Sequence, residues 1–157
     1  MNRSDREVQD TATIREFLQN NNVLRLALTS EDAPYIVPLS YGFDYNEEEG
    51  SLVFYFHGAK HGLKIDLAKK NPNVGFEIDN VVKLTRSEIA CGFSFKYESI
   101  IGKGKLQFFD DPLEKNYCLN RIMHNLTSKD NWEYNGEVLK KTIAFKLTVD
   151  SFTMKKS

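Results

Sequence analysis

The densest set of side chains that could bind an anion or move a proton lies between residues 57 and 64. This stretch reads HGAKHGLK and holds four such side chains: His57, Lys60, His61 and Lys64. An imidazole titrates near neutral pH and can transfer a proton, whereas a lysine ammonium is a compact charge that suits phosphate. The pattern therefore indicates either an anion site or a proton-transfer site.

Two glycines in this stretch affect what its backbone can do. Gly58 and Gly62 allow unusual backbone angles and a close approach of a ligand. A helix beginning near Gly62 would offer free N–H groups and a positive dipole end to a phosphate, with Lys64 as the point charge. The same residues also fit a strand that ends at His57 and a solvated helix face behind it. Spacing alone leaves both interpretations open.

A second stretch, PYIVPLSYGF at residues 34–43, is too apolar for a surface strand. Pro38 has no N–H for a ladder, so we expect it at a sheet edge or a bulge. The backbone groups left unpaired there, with the Ser40 hydroxyl, could hydrogen bond to the edge of a flat heteroaromatic ring. A buried edge strand without a ligand explains the same residues.

A third stretch, YESIIGKG at residues 97–104, carries Ser99, which could bind a phosphate or a ribityl hydroxyl. Exposed strand serines are common, so this indication is weaker. Cys91 and Cys118 have no neighbouring pattern of a nucleophile, and we expect both to be free structural thiols. The spacing of a Ser-His-Asp triad or a P-loop does not occur, and no metal site is predicted.

Composition limits the class of protein. The 157 residues suit a single domain, 41% are hydrophobic and the formal net charge is −1. A near-neutral balance argues against nucleic acid as the main partner. No apolar run approaches the roughly 20 residues that cross a bilayer, and the first ten residues lack the apolar region of a signal peptide. We therefore expect a cytoplasmic protein without a membrane partner.

Hydrophobic alternation predicts a mainly β protein with peripheral helices. The predicted strands cover residues 23–30, 35–45, 51–57, 73–79, 97–109 and 142–156. Helices are predicted over 11–22 and 62–70, the first with a capping box of Thr13 and Glu16. A third helix begins after Asp111, with Pro112 in its first turn. Such an order predicts a small antiparallel barrel with helices packed outside it.

Three segments, taken in order, resemble the pyridoxamine 5′-phosphate oxidase-like flavoproteins, and most closely the 5-nitroimidazole resistance (Nim)-like branch. They read PYIVPLSYGF, LVFYFHGAKHGLKIDLAKKNPNVGFEI and ACGFSFKYESIIGKGKLQFFDDPLEK. The resemblance implies one FMN-binding split β-barrel of Greek-key type over residues 1–157, with six or so antiparallel strands. It also implies a homodimer with a flavin in each of two clefts at the subunit interface.

The resemblance further implies roles for individual residues. The implied cofactor contacts are Val37, Pro38, Leu39, Ser40, Tyr55, Phe56, His57, Lys64 and Ser99. Strand 37–40 would line the isoalloxazine ring through its backbone and the Ser40 hydroxyl. Lys64 would bind the phosphate, and His57 would lie beside the flavin as the catalytic residue.

The chain departs from the oxidase proper at two places. Leu63 stands where the oxidase has an arginine directly before its phosphate lysine, and the final VDSFTMKKS lacks the oxidase's substrate-binding arginine and histidine motif. Oxidation of pyridoxamine phosphate is therefore not expected. The missing arginine also leaves room for FAD as an alternative to FMN.

These observations favour a flavin-dependent oxidoreductase that reduces a small aromatic or nitro compound. NAD(P)H or a reduced flavin would be the electron source, and His57 would donate a proton or orient the substrate. One alternative is a flavin-binding protein without turnover, acting in storage or redox sensing. Another is a heme-binding split barrel, with a histidine against the heme.

Overall fold

The computed structural model describes residues 4–157. Within this range the chain forms eight strands and four α-helices. The strands are β1 (Glu7–Val8), β2 (Val23–Leu28), β3 (Tyr35–Ser40), β4 (Gly42–Asn46), β5 (Ser51–Ala59), β6 (Asn73–Thr85), β7 (Ser94–Phe109) and β8 (Thr142–Lys156). The helices are α1 (Thr11–Asn20), α2 (Leu63–Lys70), α3 (Pro112–Thr127) and α4 (Gly136–Lys141). None of the helices in residues 4–157 is both long enough and apolar enough to cross a bilayer.

All strands belong to one antiparallel sheet in the order β3-β2-β6-β7-β8-β5-β4, with β1 paired to β8. The two strands at the ends of this order, β3 and β4, are consecutive in the chain and are joined by Tyr41 alone. The sheet therefore curls until its ends meet at one corner. This is a split β-barrel, and the mainly β prediction is confirmed.

Aromatic side chains fill the barrel. Phe54, Phe56 and Phe145 are almost completely buried, and the rings of Phe56 and Phe145 have centroids 5.3 Å apart. Phe54 meets Phe76 from the opposite side at 5.2 Å. Each such side chain removes 150–250 Å² from water, so these rings supply much of the burial that stabilises the barrel.

A second, smaller core lies outside the barrel, beneath α3. Cys118, Leu119 and Ile122 of α3 pack on Tyr55 and Ala144 of the sheet. Contact is closest at Gly42, where a Cβ atom would lie 2.2 Å from the carbonyl carbon of Arg121. Only glycine lets the helix approach β4 this closely, and this approach fixes α3 over β4 and β5.

Tyr41 divides a stretch that the sequence predicts as one strand, 35–45. Its side chain is fully buried, and its hydroxyl donates to the Leu18 carbonyl at 2.8 Å. The Asn125 amide donates in turn to the Tyr41 carbonyl at 3.1 Å. Contacts with α1 and α3 thus hold a corner at Tyr41. Together with the two-residue β1, this break explains eight strands where six or so were predicted.

Several local predictions are confirmed. Pro38 lies on β3, which is an edge strand. The register between β7 and β8 shifts at Lys103/Gly104, as expected for a strand that Gly102 and Gly104 interrupt. Asp111 caps α3 by accepting from the N–H groups of Leu113 and Glu114 at 2.9 and 3.0 Å. Both cysteines are free.

Other local predictions need correction. The cap of α1 is Asp10, whose carboxylate accepts from the Thr13 N–H at 2.9 Å, and not a Thr13–Glu16 capping box. Strand β6 continues to Thr85, six residues beyond the predicted end at residue 79. Helix α4 was not predicted, although Asn135 caps it by accepting from the Glu137 and Val138 N–H groups.

Candidate functional site

The register of the strands shows where the barrel opens. Pairing of β4 with β5 ends at Gly42 opposite Tyr55. If this register continued for two more residues, Ser40 would lie opposite His57. Instead, β3 turns away at Tyr41 and pairs with β2, with Ser40 opposite Val23. The gap between residues 37–40 of β3 and residues 57–59 of β5 is called the split below.

Both borders of the split present backbone groups. Strand β3 has β2 on one side and no strand on the other within residues 4–157. Residues 57–59 pair with β8 and have no partner on the side of the split. Pro38 and Ser40 are exposed, whereas the side chains of Val37 and Leu39 pack against the barrel core. The predicted cofactor residues on β3 can therefore meet a ligand through backbone and through the Ser40 hydroxyl.

Lys64 lies at one end of the split. Gly62, with φ of 130°, precedes α2, and no side chain caps this helix start. The first backward bond of the helix runs from the Ile65 N–H to the Gly62 carbonyl. The ammonium nitrogen of Lys64 lies 3.0 Å from the place that a Cβ atom on Gly58 would occupy. An uncapped helix start and a lysine charge thus meet at the end of β5, as a phosphate site requires.

His57 lies on the other face of the same strand end. Side chains alternate along β5, so His57 points to the outer face with Tyr55, and Gly58 points to the face of Lys64. The ring borders a pocket of about 260 Å³ between α3 and α4. The ring is exposed to solvent on the pocket side, and the rest of the residue is packed against the protein. This partial burial lowers the pKa of His57 below its ordinary value, and the Lys64 charge lowers it further. His57 is therefore mainly neutral at pH 7.

Tyr55 and Phe56 are less accessible than the resemblance implies. Phe56 is fully buried in the barrel, and its carbonyl accepts from the Cys118 thiol at 3.2 Å. Tyr55 is buried beneath α3, and its hydroxyl donates to Asp44 at 2.9 Å. Neither side chain faces the split. Contact of these two residues with a cofactor stays a prediction, and it is limited to their backbone.

Ser99 is adjacent to neither border of the split, because β2 and β6 lie between β7 and β3, and β8 lies between β7 and β5. It lies on β7 opposite Asp79 and Lys155, whereas His57 lies opposite Ala144. Eleven residues of β8 separate Lys155 from Ala144, which at about 3.3 Å per residue is roughly 36 Å along the strand. The β3 border is nearer, because Ser40 and Ser99 are nearly level across β2 and β6, about 14 Å apart at about 4.8 Å per strand.

Sequence reasoning missed the pocket beside His57. One wall is α3, with Ile122 and Met123, and the other is α4 with the preceding segment. The Lys115 ammonium donates to the Leu139 carbonyl at 2.6 Å and ties α4 to α3. The Asn135 cap is a local signal that could have revealed α4. The pocket itself depends on packing between distant segments, and no sequence motif marks it.

A groove of about 590 Å³ lies beyond the start of α2, between this helix and the turn at residues 29–32. Leu63 and Leu67 form its apolar wall, and Glu31 and Asp32 line the opposite side. The Lys70 ammonium bridges it to Glu31 at 3.3 Å. This groove gives space next to the phosphate-binding end of the split.

These features fit a flavin mononucleotide. The split offers backbone hydrogen bonds for the edge of a flat ring, and the start of α2 offers N–H groups and Lys64 for a phosphate. A family model described as pyridoxamine 5′-phosphate oxidase matches residues 10–156. The chain belongs to this family. A comparison with the curated proteins finds no match.

Solved structures support the membership in the pyridoxamine 5′-phosphate oxidase family. A protein from Bacteroides thetaiotaomicron VPI-5482, provisionally described as a 5-nitroimidazole antibiotic resistance protein, is 26% identical and has a TM-score of 0.80. The match covers 96% of this chain and 86% of that one. This likeness agrees with the resemblance to the Nim-like branch.

Two further structures share the fold at lower identity. The flavocytochrome Anf3 from Azotobacter vinelandii has a TM-score of 0.82 at 14% identity, over 100% of this chain and 72% of that one. A protein from Mycobacterium smegmatis described as binding FAD and heme has a TM-score of 0.78 at 16% identity, over 97% and 73% of the two chains. The split barrel of the pyridoxamine 5′-phosphate oxidase family is thus common to proteins with flavin and heme ligands.

Proposed function

We propose that the protein is a flavin-binding oxidoreductase that reduces a small aromatic or nitro compound through bound FMN. The observation that carries the proposal is the position of Lys64, whose ammonium lies over Gly58 at the uncapped start of α2 and at the end of the split. A phosphate held there would place the attached ring system at the backbone edges of residues 37–40 and 57–59. The first test is the absorbance spectrum of the purified protein, with mass identification of any released cofactor.

Each part of the site has a distinct task in this proposal. Lys64 and the first N–H groups of α2 bind the phosphate, because charge-assisted hydrogen bonds are the strongest available to it. The backbone of Val37 and Pro38, with the Ser40 hydroxyl, orients the ring. When bound, the flavin supplies the redox chemistry, and the protein contributes positioning and electrostatics.

His57 acts on the substrate side. Since its pKa is lowered by burial and by Lys64, the imidazole is mainly neutral and carries one N–H donor. A neutral imidazole can donate this hydrogen bond to a nitro or carbonyl oxygen and so orient the compound. A phosphate beside Lys64 would offset its charge and move the pKa of His57 back toward its usual range. Proton donation would then become easier in the loaded protein.

We further propose a homodimer, with each flavin at the interface. Residues 81–85 and 94–96 extend β6 and β7 beyond the rest of the sheet and are joined by residues 86–93. Every residue from 81 to 96 except Ser87 is exposed, and this segment is called the β6–β7 ribbon. Its large apolar side chains in solvent are Val81, Val82, Leu84, Ile89, Phe93 and Phe95. An apolar ribbon of this kind needs a covering surface. A second copy would cover the ribbon and could bring Ser99 to the split.

FAD is the alternative cofactor. The groove beside Leu63 could hold the extension that FAD has and FMN lacks, since Leu63 replaces the arginine that would otherwise crowd the phosphate end. Titration of the cofactor-free protein with FMN and FAD separates the two. Equal affinity would mean that the groove contributes nothing to cofactor binding.

Two other functions are tested by the same spectrum. A flavin that binds but is not reoxidised by a quinone, a nitroaromatic compound or oxygen would indicate storage or sensing. A Soret band in place of flavin absorbance would indicate heme, which the imidazole of His57 at the border of the split could bind through a ring nitrogen. A protein that stays colourless after addition of FMN, FAD and heme would contradict the hypothesis that the split is a cofactor site.

The proposed electron source is NAD(P)H or a reduced flavin, and the proposed location is the cytoplasm. Anaerobic mixing with NADH, NADPH and dithionite, followed at the flavin absorbance band, identifies the source. Fractionation of cells that make the protein checks the location, and recovery in the membrane fraction would contradict it.

A further inference from the structure

We propose that the pocket beside His57 is a binding site for uncharged aromatic compounds of one or two rings, and that α4 sets this size limit. The His57 pocket is defined by His57, Ile122, Met123, Glu133, Val138 and Leu139, with Leu119, Tyr134, Asn135 and Thr142 completing its wall. Its role as a substrate pocket rests on the proposed function. Binding to it is a separate property of the chain.

The lining favours an apolar, uncharged ligand. Leu119 and Ile122 are 7% and 2% exposed and form the floor. The wall includes no lysine or arginine, and its one carboxylate is that of Glu133, an exposed residue. An anionic ligand would lose its hydration here without gaining a cationic partner. The pocket therefore suits neutral rings and is poorly suited to phosphorylated or carboxylated ones.

The volume limits how much of a ligand the walls can enclose. A dry cavity of about 150 Å³ lined by aliphatic and aromatic side chains accepts benzene. The His57 pocket has about 260 Å³, which is enough for one substituted ring or two fused rings. Three fused rings, as in a free flavin, exceed this volume, so part of such a ligand would stay in solvent unless α4 moved.

His57 supplies the orienting polar group. Its ring borders the pocket from the strand end that also borders the split. With one N–H and one lone pair in the neutral state, it can donate to an amide, nitro or quinone oxygen on the ligand. A ligand bound in this way would lie with its ring on the floor and its oxygen toward the split.

Helix α4 is the adjustable wall. It has no buried residue, and Val138, which lines the pocket, is 61% exposed. The wall is held by the Lys115 bond to the Leu139 carbonyl and by the Tyr134 hydroxyl, which donates to Asn120 at 3.0 Å. Substitution of Val138 therefore changes the space in the pocket with little effect on the folded core.

The test uses the full chain, with and without FMN, and ligand-observed NMR as the binding readout. The probes are benzamide, 1-naphthamide and anthracene-9-carboxamide for size, and benzoate for charge. We expect the one-ring and two-ring amides to bind, and the three-ring amide and benzoate to bind at least tenfold more weakly. Equal binding of all three amides, or of benzamide and benzoate, would overturn the inference.

Two substitutions at one position complete the test. Val138→Trp should fill the pocket and weaken the binding of 1-naphthamide at least tenfold. Val138→Ala should allow the three-ring amide to bind. Leu113→Ala is the matched control, since Leu113 is 80% exposed at the start of α3 and does not line the His57 pocket. Circular dichroism establishes that each variant is folded. Unchanged binding in both Val138 variants would show that α4 does not set the limit.

The outcome is separable from that of the proposed function. A chain that binds the small amides but no flavin would contradict the proposed function and leave the pocket in place. A chain that binds FMN but none of the amides would contradict the pocket alone.

Discussion

The ammonium nitrogen of Lys64 lies 3.0 Å from the place that a Cβ atom on Gly58 would occupy, at the end of the split. Because side chains alternate along β5, Lys64 lies on one face of this strand end and His57 on the other. In the proposed function, this relationship separates the face that binds phosphate from the face that binds substrate. The split connects the two.

Removing the Lys64 charge should weaken FMN binding. A hydrogen bond to a charged group contributes about 1.5–3 kcal/mol, so we expect Lys64→Ala to lower the affinity roughly ten- to a hundredfold. Lys70→Ala is the matched control, because the Lys70 side chain is 73% exposed near the other end of the same helix. Isothermal titration of the cofactor-free variants gives both affinities. Wild-type affinity in Lys64→Ala would refute the phosphate assignment.

A methyl group on Gly58 should displace the lysine and leave the fold intact. The atoms it would meet are Nζ and Cε of Lys64, the mobile end of a flexible side chain. We therefore expect Gly58→Ala to lower FMN affinity severalfold and to change the unfolding midpoint little. Gly136→Ala serves as the control, because a Cβ there meets no atom within 4 Å. A large loss of stability in Gly58→Ala would mean that the barrel end tolerates no side chain.

The pKa of His57 should respond to Lys64. Burial is the larger cause of its lowered pKa and the Lys64 charge the smaller one. Lys64→Met should therefore raise the pKa of His57, yet leave it below the ordinary value of about 6.5. NMR titration of the imidazole protons measures this, with His57→Gln to assign the signal and His124 as an internal reference. An unchanged pKa would mean that the two groups are not coupled.

The lowered pKa of His57 predicts how the stability of the folded state should change with pH. The folded state resists protonation of His57, so the unfolded state binds this proton more readily. The contribution of His57 to stability is therefore complete above about pH 6.5 and is lost as the pH falls from there through the folded-state pKa. Urea unfolding of wild type and His57→Gln between pH 5 and pH 8 should show a smaller loss in the variant. Equal slopes would contradict this direction.

The corner at Tyr41 should stabilise the barrel. Tyr41→Phe removes the hydroxyl that donates to the Leu18 carbonyl at 2.8 Å and leaves that buried acceptor unpaired. We expect the free energy of unfolding to fall by about 1–2 kcal/mol, measured in urea. Tyr35→Phe, at a half-buried tyrosine of β3, is the control. An equal loss in both variants would indicate that the Tyr41 bond has no special role.

A charge on the β6–β7 ribbon should disrupt the proposed homodimer. Phe95 is 56% exposed in one chain, and Phe95→Glu would place a carboxylate in an apolar interface. We expect the mass measured by light scattering to fall from dimer to monomer, with weaker FMN binding. Leu113→Glu is the control, since Leu113 is 80% exposed at the start of α3. A dimer that persists in Phe95→Glu would place the interface elsewhere.

The sequence by itself determined the features that depend on neighbouring residues. Proline lacks an N–H, which confines Pro38 to an edge strand. Asp111 and Pro112 suit the first turn of a helix, which determines the start of α3. Alternation of apolar residues determined most of the strands, and the order of the motifs along the chain indicated the family.

Tertiary structure decided the features that depend on contacts between distant residues. In the sequence, Tyr41 is one apolar position of an alternating strand. Its hydrogen bonds with Leu18 and Asn125 are what hold a corner at this residue. Ser99 lies in a family-like motif, yet the path of β8 carries it far from His57. The His57 pocket exists because α3 crosses β4 at Gly42 and α4 folds back onto α3. Such contacts join residues 23 to 84 positions apart, and no local pattern in the sequence encodes them.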